Sequence, residues 1–286
     1  MRRRKANIPV GSFNPSYHYE MLIDRRRVDP YKAAIEANVT GSSAVLDIGT
    51  GSGLLAILAA RAGARAVYAV ERMGDMRRIA TENFARENNP ALKTPIIATD
   101  ANEHLDLDEP IDILLCELLS TWLVTEQQAS VCKSVRSHLA PDAKIIPARM
   151  KNYMTGVQAS LEYFGATIQH PYYLRELNNS RPAKLTETII THVTDFGSVS
   201  DMEVSLAALQ MRCHTAGTLN AVMLESDAEL DDAHLVDAGQ TLFLPHIVPL
   251  RKPIAVRPGS LVSVDIDYSY GGDWTNFSAI AKIQEE

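Results

Sequence analysis

The stretch AVLDIGTGSGLLAILAARAGARAVYAVE, residues 44–71, carries the fold of the first half of this chain. Ala44 to Ile48 reads as a short buried strand, and GTGSG follows it at once. A helical LLAILAARAGA comes next, then a second apolar run, Ala66 to Val70, which closes on Glu71. Strand, glycine turn, helix and strand in that order predict a parallel βαβ unit. Gly49, Gly51 and Gly53 let the backbone turn tightly and approach a ligand, whose anionic or polar part can rest near the helix N-terminus. The dinucleotide fingerprint needs a glycine at its sixth position, and Leu54 stands there, so a nicotinamide is disfavoured.

Working outward, two carboxylates join the glycines. Asp47 is an acid in an otherwise apolar strand, and Glu71 ends the second strand, where a carboxylate grips both ribose hydroxyls of an adenosine. DxGxGxG with a second-strand acid is the S-adenosylmethionine (SAM) pattern of the Rossmann-type methyltransferases. Pro95 to Thr99 reads as a third strand closing on Asp100, Ala101 and Asn102, where an adenine is read. A fourth strand, Ile111 to Cys116, runs straight into CELLSTWLVTE, residues 116–126. Gln127 to Leu139 is helical, and Ala143 to Ile146 is a fifth strand after a turn at Pro141-Asp142. The class is therefore α/β, a Rossmann-like parallel sheet with helices on both faces.

After Pro147 the pattern changes. Thr186–Val193, Glu203–Met211, Leu219–Glu225 and Leu261–Tyr268 read as strands without long helices between them, and the last alternates apolar with polar residues. VPLRKPIAVRPG, residues 248–259, reads as edge strand and turns because of its prolines. The expected organisation is an N-terminal helical lid over 1–39, interrupted near Pro30, a SAM-binding domain over 40–147 and a β-barrel or sandwich over 148–286.

The bulk numbers fit a soluble globular protein of 286 residues, 46% hydrophobic and 22% charged, long enough for a sizeable core. A formal net charge of −7 argues against a nucleic-acid partner. Cys116, Cys132 and Cys213 have no CxxC spacing, and the sequence shows no apolar signal region or membrane span, so a cytoplasmic location is expected. No His, Cys or acidic cluster has metal-ligand spacing, so no metal is expected. His246 reads as a partly buried barrel residue.

In open α/β sheets the ligand lies outside the carboxyl ends of the strands, which puts Glu117 beside the transferable methyl group. Nucleic-acid amino methyltransferases usually carry [DNS]PP[YFW] at that place, and CELL stands here instead. Two carboxylates brought back together suit a planar, permanently charged guanidinium. Here the chain resembles the protein arginine methyltransferase family over most of its length. VLDIGTGSGLLAILAARAGARAVYAVE is similar to the family's SAM motif, Glu117 and Glu126 match its double-glutamate loop, and EMLIDRRRVDPY is similar to its EML-x-D-x-x-R segment. HLAPDAKIIPARM fits the crossing into the barrel, and LFLPHIVPLRKPIAVRPGSLVSVDIDY resembles the last barrel hairpins, closest to the type II branch.

That resemblance implies Arg27, Asp47, Gly49, Gly51 and Glu71 for the cofactor SAM, with Asn102 at the adenine position and Asp100 and Ala101 beside it. Glu117 and Glu126 become the catalytic and substrate-binding clamp, with His18 and Tyr19 closing the lid over the substrate together with Phe13 and Tyr17. The sequence also departs from the family. Thr241-Leu242-Phe243 stands where a threonine-histidine-tryptophan loop belongs, and the dimerisation arm is shortened to about 158–185. The departures resemble small bacterial enzymes that methylate free L-arginine in natural-product pathways. The expected function is guanidino N-methylation of free arginine; the alternatives are a protein arginine N-methyltransferase and a non-catalytic SAM-binding scaffold. The partners expected are arginine or an arginine-containing protein, with a homodimer allowed and neither nucleic acid nor membrane.

Overall fold

A computed structural model describes residues 15–93, 105, 107, 109–174, 181–237 and 244–284. Two helices, α1 (Pro15–Ile23) and α2 (Arg25–Asn38), precede the first strand. The expected interruption near Pro30 is absent: α2 runs through the proline, and the chain breaks instead at Asp24, whose side chain caps α2 by accepting from the Arg27 N–H. Burial of Tyr31, Ala34 and Ile35 on one face holds the helix together beyond the proline.

β1 (Ala44–Ile48), α3 (Leu54–Arg61), β2 (Ala66–Val70) and α4 (Gly74–Glu87) form the βαβ unit and the helix that follows it. β3 (Ile111–Cys116), α5 (Gln128–Ser134) and β4 (Leu139–Ile146) complete a parallel sheet of order β2-β1-β3-β4. All five residues of β1 and of β2 are buried, as expected of strands covered on both faces. The predicted strand over 95–99 lies outside the described residues. The helix expected to reach Leu139 ends earlier, passing into a 3₁₀ turn over Val135–His138, and Leu139 already belongs to β4. Pro141 and Asp142 sit within β4 at a register shift against β3, because an edge strand has no partner for the missing proline N–H.

The remaining described strands are β5 (Arg149–Gln158), β6 (Glu162–Tyr163), β7 (Ala166–Thr167), β8 (Tyr172–Tyr173) and β9 (Ala183–Asp195). β10 (Glu203–Arg212), β11 (Gly217–Glu229), β12 (Leu235–Asp237), β13 (His246–Val256), β14 (Leu261–Ser269) and β15 (Ser278–Ile283) follow. One antiparallel sheet has the order β8-β13-β11-β5-β9 and a second has β10-β14-β15, a barrel-like pair. The stretch expected to be edge strand and turns is so, with a turn at Pro258 and Gly259 after β13. β13 pairs with β11 on one side and meets β8 only at His246 and Ile247, so that residues 248–256 have no second paired strand among the described residues. Its Pro249 is accommodated beside a register shift in the β11 pairing.

The barrel core gathers Met154, Leu224, Val248, Val262, Val264, Ile266 and Tyr268 around Trp122, a residue contributed by the loop after β3. Met150, Phe196, Ala228, Leu230 and Val236 meanwhile join the core of the parallel sheet. The two cores interlock at the carboxyl ends of the parallel strands, and that is where the site lies.

Candidate functional site

The glycine turn is held from below by carboxylates. Asp47 is buried in β1, and its Oδ2 accepts from Thr50 Oγ1 at 2.6 Å and from the Ala56 N–H at 3.1 Å. Burial pushes its pKa up to about 7, against the pull of those two bonds. Asp47 therefore fastens the turn to α3. Glu71 uses both carboxylate oxygens on backbone amides, accepting from Gly51 at 2.9 Å and from Met73 at 2.7 Å. Gly49, Gly51 and Gly53 have φ of 73°, 57° and 90°, the left-handed region that glycine enters without strain. A side chain at Gly49 would meet Leu118 at 2.8 Å, and one at Gly51 would meet the His18 ring at 3.0 Å. The loop after β3 and helix α1 thus both lie over the turn.

The 117–126 loop is fixed from the barrel side. Its centre is a 3₁₀ turn over Thr121–Leu123. Thr121 Oγ1 donates to the Leu244 carbonyl at 2.7 Å, and the Trp122 N–H donates to Ser226 Oγ at 2.9 Å. The Trp122 indole N–H lies between the carbonyls of Tyr153 and Glu225, at 3.1 and 3.2 Å. Ser120 Oγ gathers the N–H groups of Thr125 and Glu126, so the loop turns back on itself and returns Glu126 towards Glu117. Gln128, at the start of α5, accepts from the Leu118 N–H at 2.8 Å and locks the near end.

The two glutamates differ in environment. Glu117 is ion-paired with Arg27 Nη2, while Arg27 Nη1 donates to the Met21 carbonyl at 3.1 Å. Burial alone would lower the Arg27 pKa, but the charge and hydrogen bond of Glu117 outweigh it and hold the guanidinium above its ordinary value. Glu126 is pushed up to about 7 by burial and then by the Glu117 charge, with Arg72 pulling the other way. Glu117 therefore lies close enough to be felt at Glu126, and one of the pair carries a guanidinium. His18 is lowered by burial, partly offset by Glu71 and Glu117.

Comparison with known proteins places this geometry. A profile described as ribosomal protein L11 methyltransferase (PrmA) matches residues 33–150, less than half of the chain. An uncharacterized protein of Methanocaldococcus jannaschii is 33% identical, across 91% of this chain and 94% of its own length. An arginine N(omega)-methyltransferase of Streptomyces achromogenes is 24% identical, across 89% of this chain and 76% of its own. The rice protein arginine N-methyltransferase PRMT10 is 36% identical over 51% of this chain, which spans only 38% of that relative. In fold, the chain superposes on Arabidopsis thaliana protein arginine methyltransferase 10 with a TM-score of 0.73 at 18% identity, covering 94% of this chain and 97% of the other. A Trypanosoma brucei PRMT1 enzyme–prozyme heterotetramer with AdoHcy gives 0.72 at 18% identity, covering 93% and 96%. The chain belongs to the arginine methyltransferase family.

Like its family, it is a SAM-dependent enzyme, and the residues present fit that cofactor. The glycine turn keeps its left-handed backbone between β1 and α3, and Glu71 stands at the end of β2 with its carboxylate fixed on two backbone amides. Arg27 Nε is buried and has no hydrogen-bond partner among the described residues, a donor suited to the carboxylate of an amino-acid cofactor. For an arginine methyltransferase the sequence-predicted residues fall into distinct groups. Arg27, Gly49, Gly51, Glu71, Glu117, Glu126 and His18 converge. Asp47 lies beneath the turn with its bonds inside the motif, and Tyr19 is 62% exposed on α1. Asp100, Ala101, Asn102, Phe13 and the 241–243 loop lie outside the described residues. Sequence reasoning missed Ser226, Leu244 and Arg72. The first two hold the loop from more than a hundred positions away, and no local pattern marks them. Arg72 had a weak signal, being the neighbour of Glu71. Among the described residues no helix is long and apolar enough to cross a membrane.

Proposed function

We propose that this arginine methyltransferase adds a methyl group to the guanidino group of free L-arginine, held between Glu117 and Glu126. The observation that carries the reading is the Arg27–Glu117 ion pair beside a second carboxylate raised to about 7. A guanidinium already rests on one glutamate, and the other is ill at ease as an anion until a further cation arrives. Free arginine rather than a protein is favoured by the extent of the likeness. The Streptomyces relative aligns across 76% of its length, whereas the rice protein methyltransferase aligns across 38%. Between β5 and β9 the described residues also hold only the two-residue strands β6, β7 and β8, which accords with a reduced arm.

Bound SAM supplies an electrophilic methyl group. Arg27, with Nε to spare, is suited to its carboxylate, and Glu71 to its ribose. The chain's own work is to present a poor nucleophile, since a guanidinium of pKa above about 12 has no free lone pair. Charge-assisted hydrogen bonds contribute roughly 1.5–3 kcal/mol each. Fixing two reactants in attack geometry contributes about 7–11 kcal/mol, so positioning dominates. The glutamates divide the labour: Glu117, engaged with Arg27, orients the guanidinium, and Glu126, with a pKa near neutrality, is the better proton acceptor as the nitrogen is alkylated.

The test is label transfer from methyl-labelled SAM to L-arginine and, separately, to an arginine-rich peptide. Label on L-arginine is expected. Label confined to the peptide would replace this reading with the protein methyltransferase.

A further inference from the structure

Trp122 and Leu123 are fully buried midway between the two glutamates and have φ of 58° and 57°. The left-handed region is disfavoured for a non-glycine residue, whose Cβ crowds the following carbonyl oxygen. Two such residues in succession persist only where the surroundings over-determine them. Here the surroundings are a chain of polar groups drawn from both barrel sheets. Ser226 of β11 accepts from the Trp122 N–H and donates to Asn152 Oδ1 at 2.7 Å. Asn152 of β5 donates through Nδ2 to His192 Nε2 at 3.0 Å, and Tyr268 of β14 places its hydroxyl 3.1 Å from the same nitrogen. With Nε2 accepting, the ring proton sits on Nδ1 and donates to Thr191 Oγ1 at 3.0 Å, which donates in turn to the Asn152 carbonyl at 3.1 Å. The Trp122 ring meets His192 edge-on at 5.2 Å.

We propose that Ser226, Asn152 and His192 are positioning residues for methyl transfer: they hold the strained turn at Trp122 and thereby set the spacing of Glu117 and Glu126. The inference rests on the reading of those glutamates as a guanidinium clamp. The three positioning residues act through Trp122, along the hydrogen-bonded chain to its amide and, for His192, also against its ring. Four strands, β5, β9, β11 and β14, contribute to one hydrogen-bonded chain that ends on one backbone N–H, so the barrel dictates the shape of a loop belonging to the parallel sheet. Burial keeps the His192 imidazole neutral, with a pKa pulled down to about 4, which suits an acceptor nitrogen.

The experiment compares His192→Leu, which removes the acceptor, His192→Gln, which restores one at the Nε2 position, and Ser226→Ala, the mildest cut in the chain. Each is assayed for kcat and KM with L-arginine, for SAM affinity by calorimetry, and for folding by thermal melt. Misplacing a reacting group by an ångström can cost about a hundredfold, so His192→Leu and Ser226→Ala are expected to lose about ten- to a hundredfold in kcat with SAM affinity retained. His192→Gln is expected to recover most of it. In a Glu126→Gln background the Ser226→Ala change should add little further loss, because it acts through that glutamate. Wild-type kcat in Ser226→Ala, or equal losses for His192→Leu and His192→Gln with SAM affinity lost in step, would overturn the proposal. Should the clamp reading itself be wrong, Glu126→Gln alone would keep wild-type turnover, a result independent of Ser226 and His192.

Discussion

The two sides of this site are built by opposite means. On the cofactor side, the glycine turn is shaped by residues within 30 positions of one another: Asp47 on Thr50 and Ala56, Glu71 on Gly51. Left-handed backbone is taken there by glycine, at no steric cost. On the acceptor side, left-handed backbone is taken by a tryptophan and a leucine, and distant strands hold it in place. A site built locally is robust to change elsewhere in the chain. A site built from two sheets at once couples the spacing of the glutamates to the packing of the barrel.

The largest expected effect tests that coupling. Trp122→Ala empties the middle of the barrel core and is expected to destabilise the protein by about 3–5 kcal/mol in chemical denaturation, with kcat falling while SAM affinity holds. Equal loss of SAM affinity would break the distinction between the two sides. Gly53→Ala is the matching change on the other side. A Cβ there would lie 2.5 Å from the Phe84 ring with φ at 90°, so a loss of about 1–3 kcal/mol and weaker SAM binding are expected, with kcat at saturating SAM preserved.

A smaller effect separates the sides by pH. Glu126 has its pKa raised by folding, from an ordinary carboxylate value to about 7. Its contribution to stability is therefore fully present below the unfolded pKa and is lost as pH rises through the folded one. Glu126→Gln is expected to melt progressively higher than the parent between about pH 4.5 and pH 7, and no higher difference should develop above that window. A constant difference across the range would show that the carboxylate is not under strain. Asp47, also raised to about 7, contributes in the same direction to the parent's own profile.

The contrast also explains what was legible in the sequence. The βαβ unit, the glycine turn and Glu71 all lie in one 28-residue stretch, where periodicity and glycine spacing carry the information. Glu117 and Glu126 were legible as a pair because both flank one loop. Their difference was not, since it depends on Arg27, 90 positions from Glu117. For Asp47 the resemblance implies a cofactor role, and the hydrogen bonds of its carboxylate run within the motif, to Thr50 and Ala56. The reach of α2 through Pro30 was hidden by the usual rule for proline and decided by the buried face beyond it. The prolines of β13 do mark an edge: beyond His246 and Ile247 it pairs only with β11 among the described residues, and Pro249 sits beside a register shift. Ser226, Asn152 and His192 leave no pattern at all, because strands that meet in a barrel share no sequence spacing.

The most direct test of the account is the turnover of Glu126→Gln on L-arginine at saturating SAM, read by transfer of labelled methyl groups. The substitution keeps the size of the side chain and removes its charge. A fall of about a hundredfold in kcat with little change in SAM affinity is predicted, because the attacking nitrogen loses its proton acceptor and one arm of the clamp while the glycine turn is untouched. Turnover equal to the parent would contradict the claim that the two glutamates hold the guanidinium.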